Sequence, residues 1–372
     1  MPVEPFPLIE LSGTAEQRGR LYGQQAADRI RRSIGHYGAQ LAADGHGAAA
    51  VRGWAREFLP RIEAFDPDYI AEMRGIAAGA DVEFEDIVLI NARTEVLQLG
   101  KRRAESREPD GCTGVVVLPE ASADGALIHA QNWDWKSECA ETGVVLRIRR
   151  DDGPDILTFV EAGGLARAGL NAAGIAITAN YLQSDRDYRS LGVPLALIRR
   201  KVLEKEQLAH AFHAVYTTVK SASNNVIVSH AGGIAINFEC APDESFQVHA
   251  TNGLIVHANH WISPIALSKL KDTGIATTPD SLYRDMRVRQ LLEAHGGKLD
   301  MAAVKDALFD DYQSPWAVCR PPRLNSAGNL SATVAMLVMQ PARGVLEIAP
   351  LPALNRRFTR YELFPQAEVK AA

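Results

Sequence analysis

The sequence predicts an α+β fold in which two packed antiparallel sheets are flanked by helices. Three observations predict it. Residues 14 to about 100 carry apolar side chains at helical spacing, and residues 112 to 180 break into short β-rich runs between turn residues. A second strand group follows two further helical patterns, an arrangement that needs stacked layers around a core.

In chain order, Thr14 with Gln17 three residues on fits a capping box. Ala27, Ile30, Ile34, Tyr37 and Leu41 then share one helix face. Asp44-Gly45-His46-Gly47 breaks the pattern. A second helix is expected through Val51, Trp54, Phe58, Ile62 and Phe65, kinked at Pro60. Asp66-Pro67 reads as an N-cap with proline at the first helical position, opening a helix through Ile70, Met73 and Ile76. Glu85 to Leu97 is a fourth helix, and the charged stretch 101–111 reads as an exposed loop.

Strands are expected at Val115–Leu118, Ala126–Gln131, Val144–Ile148, Ile156–Glu161 and Ile175–Asn180. Asp124-Gly125 and Asp151-Asp152-Gly153-Pro154 supply hairpin turns. Helices are expected at Pro194–Leu203 and Leu208–Val219. Strands follow at Asn225–Ser229, Gly233–Glu239, Ser245–His249 and Leu254–Ala258. Thr278-Pro279-Asp280-Ser281 starts a helix that Gly296-Gly297 ends. Ser331–Met339 and Gly344–Ile348 form a closing hairpin.

The 372 residues are 47% hydrophobic and 23% charged, an ordinary globular composition with ample length for a core. A formal net charge of −5 argues against nucleic acid or an anionic membrane as partner. No apolar run approaches the roughly 18 residues of a membrane span. Met1 to Pro7 has no basic region leading into an apolar one, so no secretory leader is expected. Four cysteines are too few for a disulfide framework in a chain this long; the expected compartment is the reducing cytoplasm.

Cys112 stands where the charged stretch ends and a β-branched run begins. A thiolate attacks and leaves carbonyl carbon well, which suits acyl transfer. As an N-terminal residue, Cys112 would also carry an α-amino group titrating near pH ~8, able to take the thiol proton without a histidine. That requires the Gly111–Cys112 bond to break: the thiol attacks the Gly111 carbonyl, the acyl group moves from nitrogen to sulfur, and water releases it. Glycine tolerates the backbone strain of that shift. The alternative is an inert, half-buried strand cysteine, the common fate of the residue type. Cys139, Cys240 and Cys319 are read that way.

Asp110-Gly111-Cys112-Thr113 followed by Gln131-Asn132-Trp133-Asp134 resembles the isopenicillin N acyltransferase family of N-terminal nucleophile (Ntn) hydrolases. Further matches follow in the family's order: Glu161-Ala162-Gly163-Gly164, Gly169 to Gly174, His257-Ala258-Asn259-His260, Pro279-Asp280-Ser281 with Arg284 and Arg287, and Val318-Cys319-Arg320. The resemblance implies a four-layer αββα sandwich. It also implies self-cleavage into an α-chain (1–111) that stays packed on a β-chain (112–372), and cleavage or transfer at the amide bond of a small molecule. No metal or cofactor is implied, although acyl-CoA could serve as co-substrate.

A hairpin between 112–118 and 126–131 puts Asp134 beside Cys112. The resemblance assigns Asp134 to hold the Cys112 ammonium and Asn259 to supply the oxyanion amide. Backbone near Asn180-Tyr181 is a candidate second donor. Ser223 and Asn224 are pocket candidates, as are Trp133 and Trp135, which read equally well as packing. His257 and His260 have metal-like spacing without a third ligand and read better as strand-end hydrogen bonders. Relatives acting on penicillin V and bile salts carry arginine where Gln131 stands, which favours the acyltransferase branch. A fungal Ser-Arg-Gly before the last strand is here Asn329-Leu330-Ser331, without the arginine.

The favoured reading is an autoprocessed cysteine amidohydrolase of small N-acylated amines or amino acids. The alternatives are an acyl-CoA-dependent N-acyltransferase, a papain-like protease requiring an intact chain and a histidine, and a non-enzymatic binding protein on the same fold.

Overall fold

A computed structural model describes residues 3–101, 111–324 and 330–365. The stretch 102–110, expected as an exposed loop, and Asn329 lie outside the described residues.

A first strand, β1 (Leu8–Leu11), leads into α1 (Ala15–Ala43), which opens on the Thr14–Gln17 capping box. The expected kinked second helix is two helices, α2 (Ala48–Arg56) and α3 (Leu59–Phe65), because Pro60 sits in the first turn of α3, where its missing N–H costs nothing. Then come α4 (Pro67–Ala80), capped by Asp66, α5 (Phe84–Asn91) and α6 (Arg93–Lys101). The first strand group is β2 (Gly111–Val117), β3 (Ile128–Lys136), β4 (Gly143–Ile148), β5 (Ile156–Glu161), β6 (Ala168–Asn171) and β7 (Ile175–Tyr181). Helices α7 (Leu195–Leu203) and α8 (Leu208–Thr217) precede β8 (Asn224–His230), β9 (Ile234–Cys240), β10 (Ser245–Val248) and β11 (Leu254–His257). The chain continues through α9 (Pro264–Leu267), α10 (Ser281–Ala294) and α11 (Met301–Leu308). It closes with β12 (Arg323–Leu324), β13 (Leu330–Gln340), β14 (Val345–Pro350) and β15 (Thr359–Glu362).

Among the described residues, one sheet runs β1-β4-β5-β6-β7-β8-β9-β10 and the other β11-β2-β3-β13-β14-β15, with β12 on β13. Every adjacent pair is antiparallel except β1–β4, which makes the first sheet mixed and departs from the all-antiparallel expectation. Their inner faces meet through Val116, Ile227 and Ile255, and through His129, whose ring nitrogens reach Ser229 Oγ and Thr178 Oγ1 at 2.8 Å. The outer face of the second sheet packs Val115, Val117, Ala130 and Met336 against α10 and α11. The N-terminal helices, α7 and α8 share one core with the first sheet. The layers are helix, sheet, sheet, helix: an αββα sandwich. No described helix is long and apolar enough to cross a membrane.

Candidate active site

The site forms where β2 begins. Gly111 and Cys112 are already strand residues, paired with Asp134 and Trp133 of β3. The sequence reading ended this partner strand at Gln131. It runs to Lys136, so Asp134 lies within the sheet and opposite Gly111. The position has a steric consequence: a Cβ on Gly111 would lie 2.7 Å from Asp134 Oδ2 and 2.7 Å from Arg320 Nη1.

Asp134 is fully buried. Its Oδ1 accepts from Thr333 Oγ1 at 2.7 Å. Its Oδ2 lies 3.1 Å from Arg320 Nε but out of line for a hydrogen bond. Burial raises the carboxyl above its ordinary value against the pull of Arg320 and Arg284. Arg320 also pairs with Asp280. Burial opposes ionisation of Asp280, but Arg284 and Arg320 outweigh it and hold the group below the usual carboxylate range. In the sequence Asp280, Arg284 and Arg320 stand in segments that resemble the family without an assigned role.

Asn259 follows β11. Its Oδ1 accepts from the Cys112 backbone N–H at 2.7 Å and from Arg284 Nη2 at 2.8 Å, while its Nδ2 donates to Tyr181 O at 2.8 Å. Arg284 also donates to Cys112 O at 2.6 Å and Thr113 Oγ1 at 2.9 Å. One guanidinium thus spans the residue after the candidate scissile bond. The Asn259 loop is held by Glu239 of β9, which accepts from Ile262 N, Ser263 N and His257 Nε2 at 2.7–3.0 Å. Ser281 Oγ takes Asn259 N–H and meets His260 Nδ1 at 2.8 Å. Both histidines are therefore committed to protein partners. Among the described residues no group of three His, Cys, Asp or Glu side chains could hold a metal.

Asn180 is a bracket between the sheets: its Nδ2 donates to the carbonyls of His257 and Ala258, and its Oδ1 accepts from Gln131 Nε2 at 2.7 Å. Tyr181 enters through its carbonyl on Asn259. Ser223 serves the turn at Ser184 and Asp187 instead of a pocket. Asn224 is buried opposite Tyr181 in the β7–β8 ladder. Trp135 donates to Tyr37 Oη at 3.0 Å and packs in the core.

The thiol faces a different group. Arg167 Nη2 lies 4.0 Å from Cys112 Sγ, and its guanidinium stacks 3.9 Å above the Trp133 ring. Sequence reasoning missed Arg167, whose only signal is one charge inside an apolar Gly-Ala-Leu stretch. All four cysteines are free thiols. Burial pushes the Cys139 thiol well above its ordinary range and Cys319 up to about 12, which suppresses their thiolates.

This arrangement puts a buried carboxylate, an amide side chain and a guanidinium around the backbone nitrogen, carbonyl and sulfur of one cysteine. Such a set can hold an ammonium, polarise an adjacent carbonyl and stabilise a thiolate.

Residues 121–349 match the family model for acyl-coenzyme A:6-aminopenicillanic acid acyltransferase, a span that contains Asp134 and Asn259 and begins after Cys112. The chain is 30% identical over 318 residues to the acyl-coenzyme A:6-aminopenicillanic-acid-acyltransferase 40 kDa form of Emericella nidulans, covering 84% of each. Among solved structures, a variant of conjugated bile acid hydrolase from Clostridium perfringens aligns with TM-score 0.49 and 13% identity, covering 68% of this chain and 92% of that one. Penicillin V acylase from Agrobacterium tumefaciens aligns with TM-score 0.43 and 16% identity, covering 68% and 86%.

Proposed function

The chain belongs to the acyl-coenzyme A:6-aminopenicillanic acid acyltransferase family, whose members are Ntn-type acyltransferases and amidases acting on amide bonds, and from that premise we propose an autoprocessed cysteine amidohydrolase. Its substrate is a small N-acylated amine or amino acid, and its intermediate a Cys112 acyl-thioester. The observation that carries the reading is the environment of the Gly111–Cys112 bond. Asn259 holds the N–H of that bond, and Asp134 keeps one buried oxygen that has no hydrogen-bond donor among the described residues and lies against Gly111.

Both proposed reactions use these residues. In self-cleavage, Cys112 Sγ adds to the Gly111 carbonyl, nitrogen leaves as the Cys112 amine, and water hydrolyses the Gly111 thioester. The new ammonium finds Asp134 Oδ2 as its counter-ion. In turnover, the free amine takes the thiol proton, the thiolate adds to the substrate carbonyl, and the protonated amine returns the proton to the leaving nitrogen. Water then hydrolyses the acyl-enzyme. Asn259 stabilises the oxyanion once its Nδ2 turns from Tyr181 O. The two cleaved parts stay together because they share a core.

The family description and the Emericella relative favour one second reading, transfer of the acyl group from an acyl-CoA donor to an amine. The two share the acyl-enzyme and differ in acceptor. Purified protein given N-acyl amides should release free acid and amine. Stimulation by acyl-CoA plus an amine, with little free acid, would select the transferase. No turnover of either substrate set by cleaved protein would contradict both.

A further inference from the structure

Ser281 opens α10 and is fully buried. Among the described residues its Oγ has two partners. It accepts from the Asn259 backbone N–H at 2.7 Å and meets His260 Nδ1 at 2.8 Å. A hydroxyl has one hydrogen to give. The Asn259 N–H can only donate, so His260 Nδ1 is the outlet for the Ser281 hydrogen. Were Nδ1 protonated, that hydrogen would be buried without an acceptor, a state proteins avoid. The proton of the neutral ring therefore sits on Nε2, which faces Asp285 Oδ2 at 3.8 Å. Burial lowers His260 below its ordinary value; Asp285 and Asp272 oppose this, while His257 and Arg284 add to it. The neutral ring is the form that both arguments require. The chain of bonds thus has one direction, from the Asn259 N–H to the Ser281 hydroxyl to His260 Nδ1.

The first turn of α10 grips Asn259 at two points. Arg284 Nη2 donates to its side-chain Oδ1 at 2.8 Å, and Ser281 holds its backbone. In the proposed turnover the Asn259 amide turns from Tyr181 O to the oxyanion, so its side-chain contacts change while the backbone bond stays. We propose that His260 is a positioning residue: its neutral ring accepts the Ser281 hydrogen and so fixes the backbone from which Asn259 reaches the oxyanion. This assignment rests on the proposed reaction and deepens it. His260 acts through Ser281 and Asn259 and not on the substrate. The strand-end hydrogen bond read from the sequence thereby acquires a direction and a task.

Two substitutions at this position separate an acceptor from mere volume. Asparagine offers Oδ1, an acceptor that carries no proton, where histidine has Nδ1; leucine fills the space without one. The first measurements use the full Cys112→Ala chain, so that no catalytic step enters. Ring-nitrogen NMR at neutral pH should show His260, assigned by its absence from His260→Asn, protonated at Nε2 and bare at Nδ1. Amide hydrogen exchange at Asn259 should quicken about tenfold or more in Ser281→Ala and in His260→Leu, and stay near the parent rate in His260→Asn. A proton on Nδ1, or equal exchange in the leucine and asparagine variants, overturns the relay. In the chain with Cys112 intact, Ser281→Ala and His260→Leu should each lower kcat about tenfold with KM nearly unchanged. The double variant should lose no more than either single one, and His260→Asn should recover most of the loss. Additive losses, a change confined to KM, or an undiminished kcat in His260→Leu overturns the positioning role. If the wild-type chain cleaves no amide, the proposed reaction fails, while tautomer and exchange still decide the relay.

Discussion

Gly111 serves the site by having no side chain. A Cβ there would press on both Asp134 and Arg320, two buried ends of one ionic network. Gly111→Ala should therefore fold but slow self-cleavage about tenfold or more, because displacing Asp134 by even an ångström misaligns the bond. A time course of chain cleavage after purification checks this. Cleavage at the wild-type rate would remove the steric argument. Asn259 has the opposite character, since its side chain accepts directly from the backbone N–H of Cys112, the proposed nucleophile. Asn259→Ala should lower kcat about 10²–10³-fold if its amide serves the oxyanion, with a smaller change in KM. The sequence made Cys112, Asp134 and Asn259 legible as an ordered set of residue types. Arg284 and Arg320 stayed without roles, because their function depends on α10 and the end of the 309–320 segment meeting β2, a long-range contact that no local pattern records. Arg167 was invisible for the same reason.

At the level of elements, strand lengths and helix contacts escaped the local reading more often than element types did. β3 continues through Asn132-Trp133-Asp134 because polar residues there are buried by β13 and α11, so alternation of polarity gives no sign of where the strand stops. The pairing of α1 with α4 was missed altogether. Gly19 and Gly23 on one helix and Gly75 and Gly79 on the other bring the backbones into contact, where added Cβ atoms would meet backbone atoms at 2.0–2.3 Å. The sheet interface yields a pH prediction. Burial between β3, β7 and β8 brings His129 down from 6.5 to about 3, so the folded state holds it neutral. A depressed histidine stabilises the fold above its unfolded value and gives that up as pH falls from 6.5 toward about 3. Urea unfolding should lose about 2 kcal/mol between pH 7.5 and pH 5 from this group alone. His129→Gln should flatten that part of the slope. Identical slopes in the two proteins would show that His129 does not titrate in the unfolding equilibrium as its burial requires.

At the scale of the whole molecule, the alternation of helical and strand texture was enough to predict the layered α+β architecture. It was not enough to reveal β1, whose parallel pairing on β4 ties the first residues of the chain to a strand more than 130 positions away. This connection, with the core shared between the N-terminal helices and the first sheet, explains how a cut at Gly111 would leave one particle. Separation of two such parts would require denaturation, so intact mass under denaturing conditions is the decisive measurement of the proposed self-cleavage. Two fragments are expected, residues 1–111 and 112–372, of about 12 and 28 kDa from a 40.4 kDa chain, with Cys112 as the new N-terminus, and an uncut, inactive chain for Cys112→Ala. A single 40.4 kDa species with full amide-cleaving activity would contradict it.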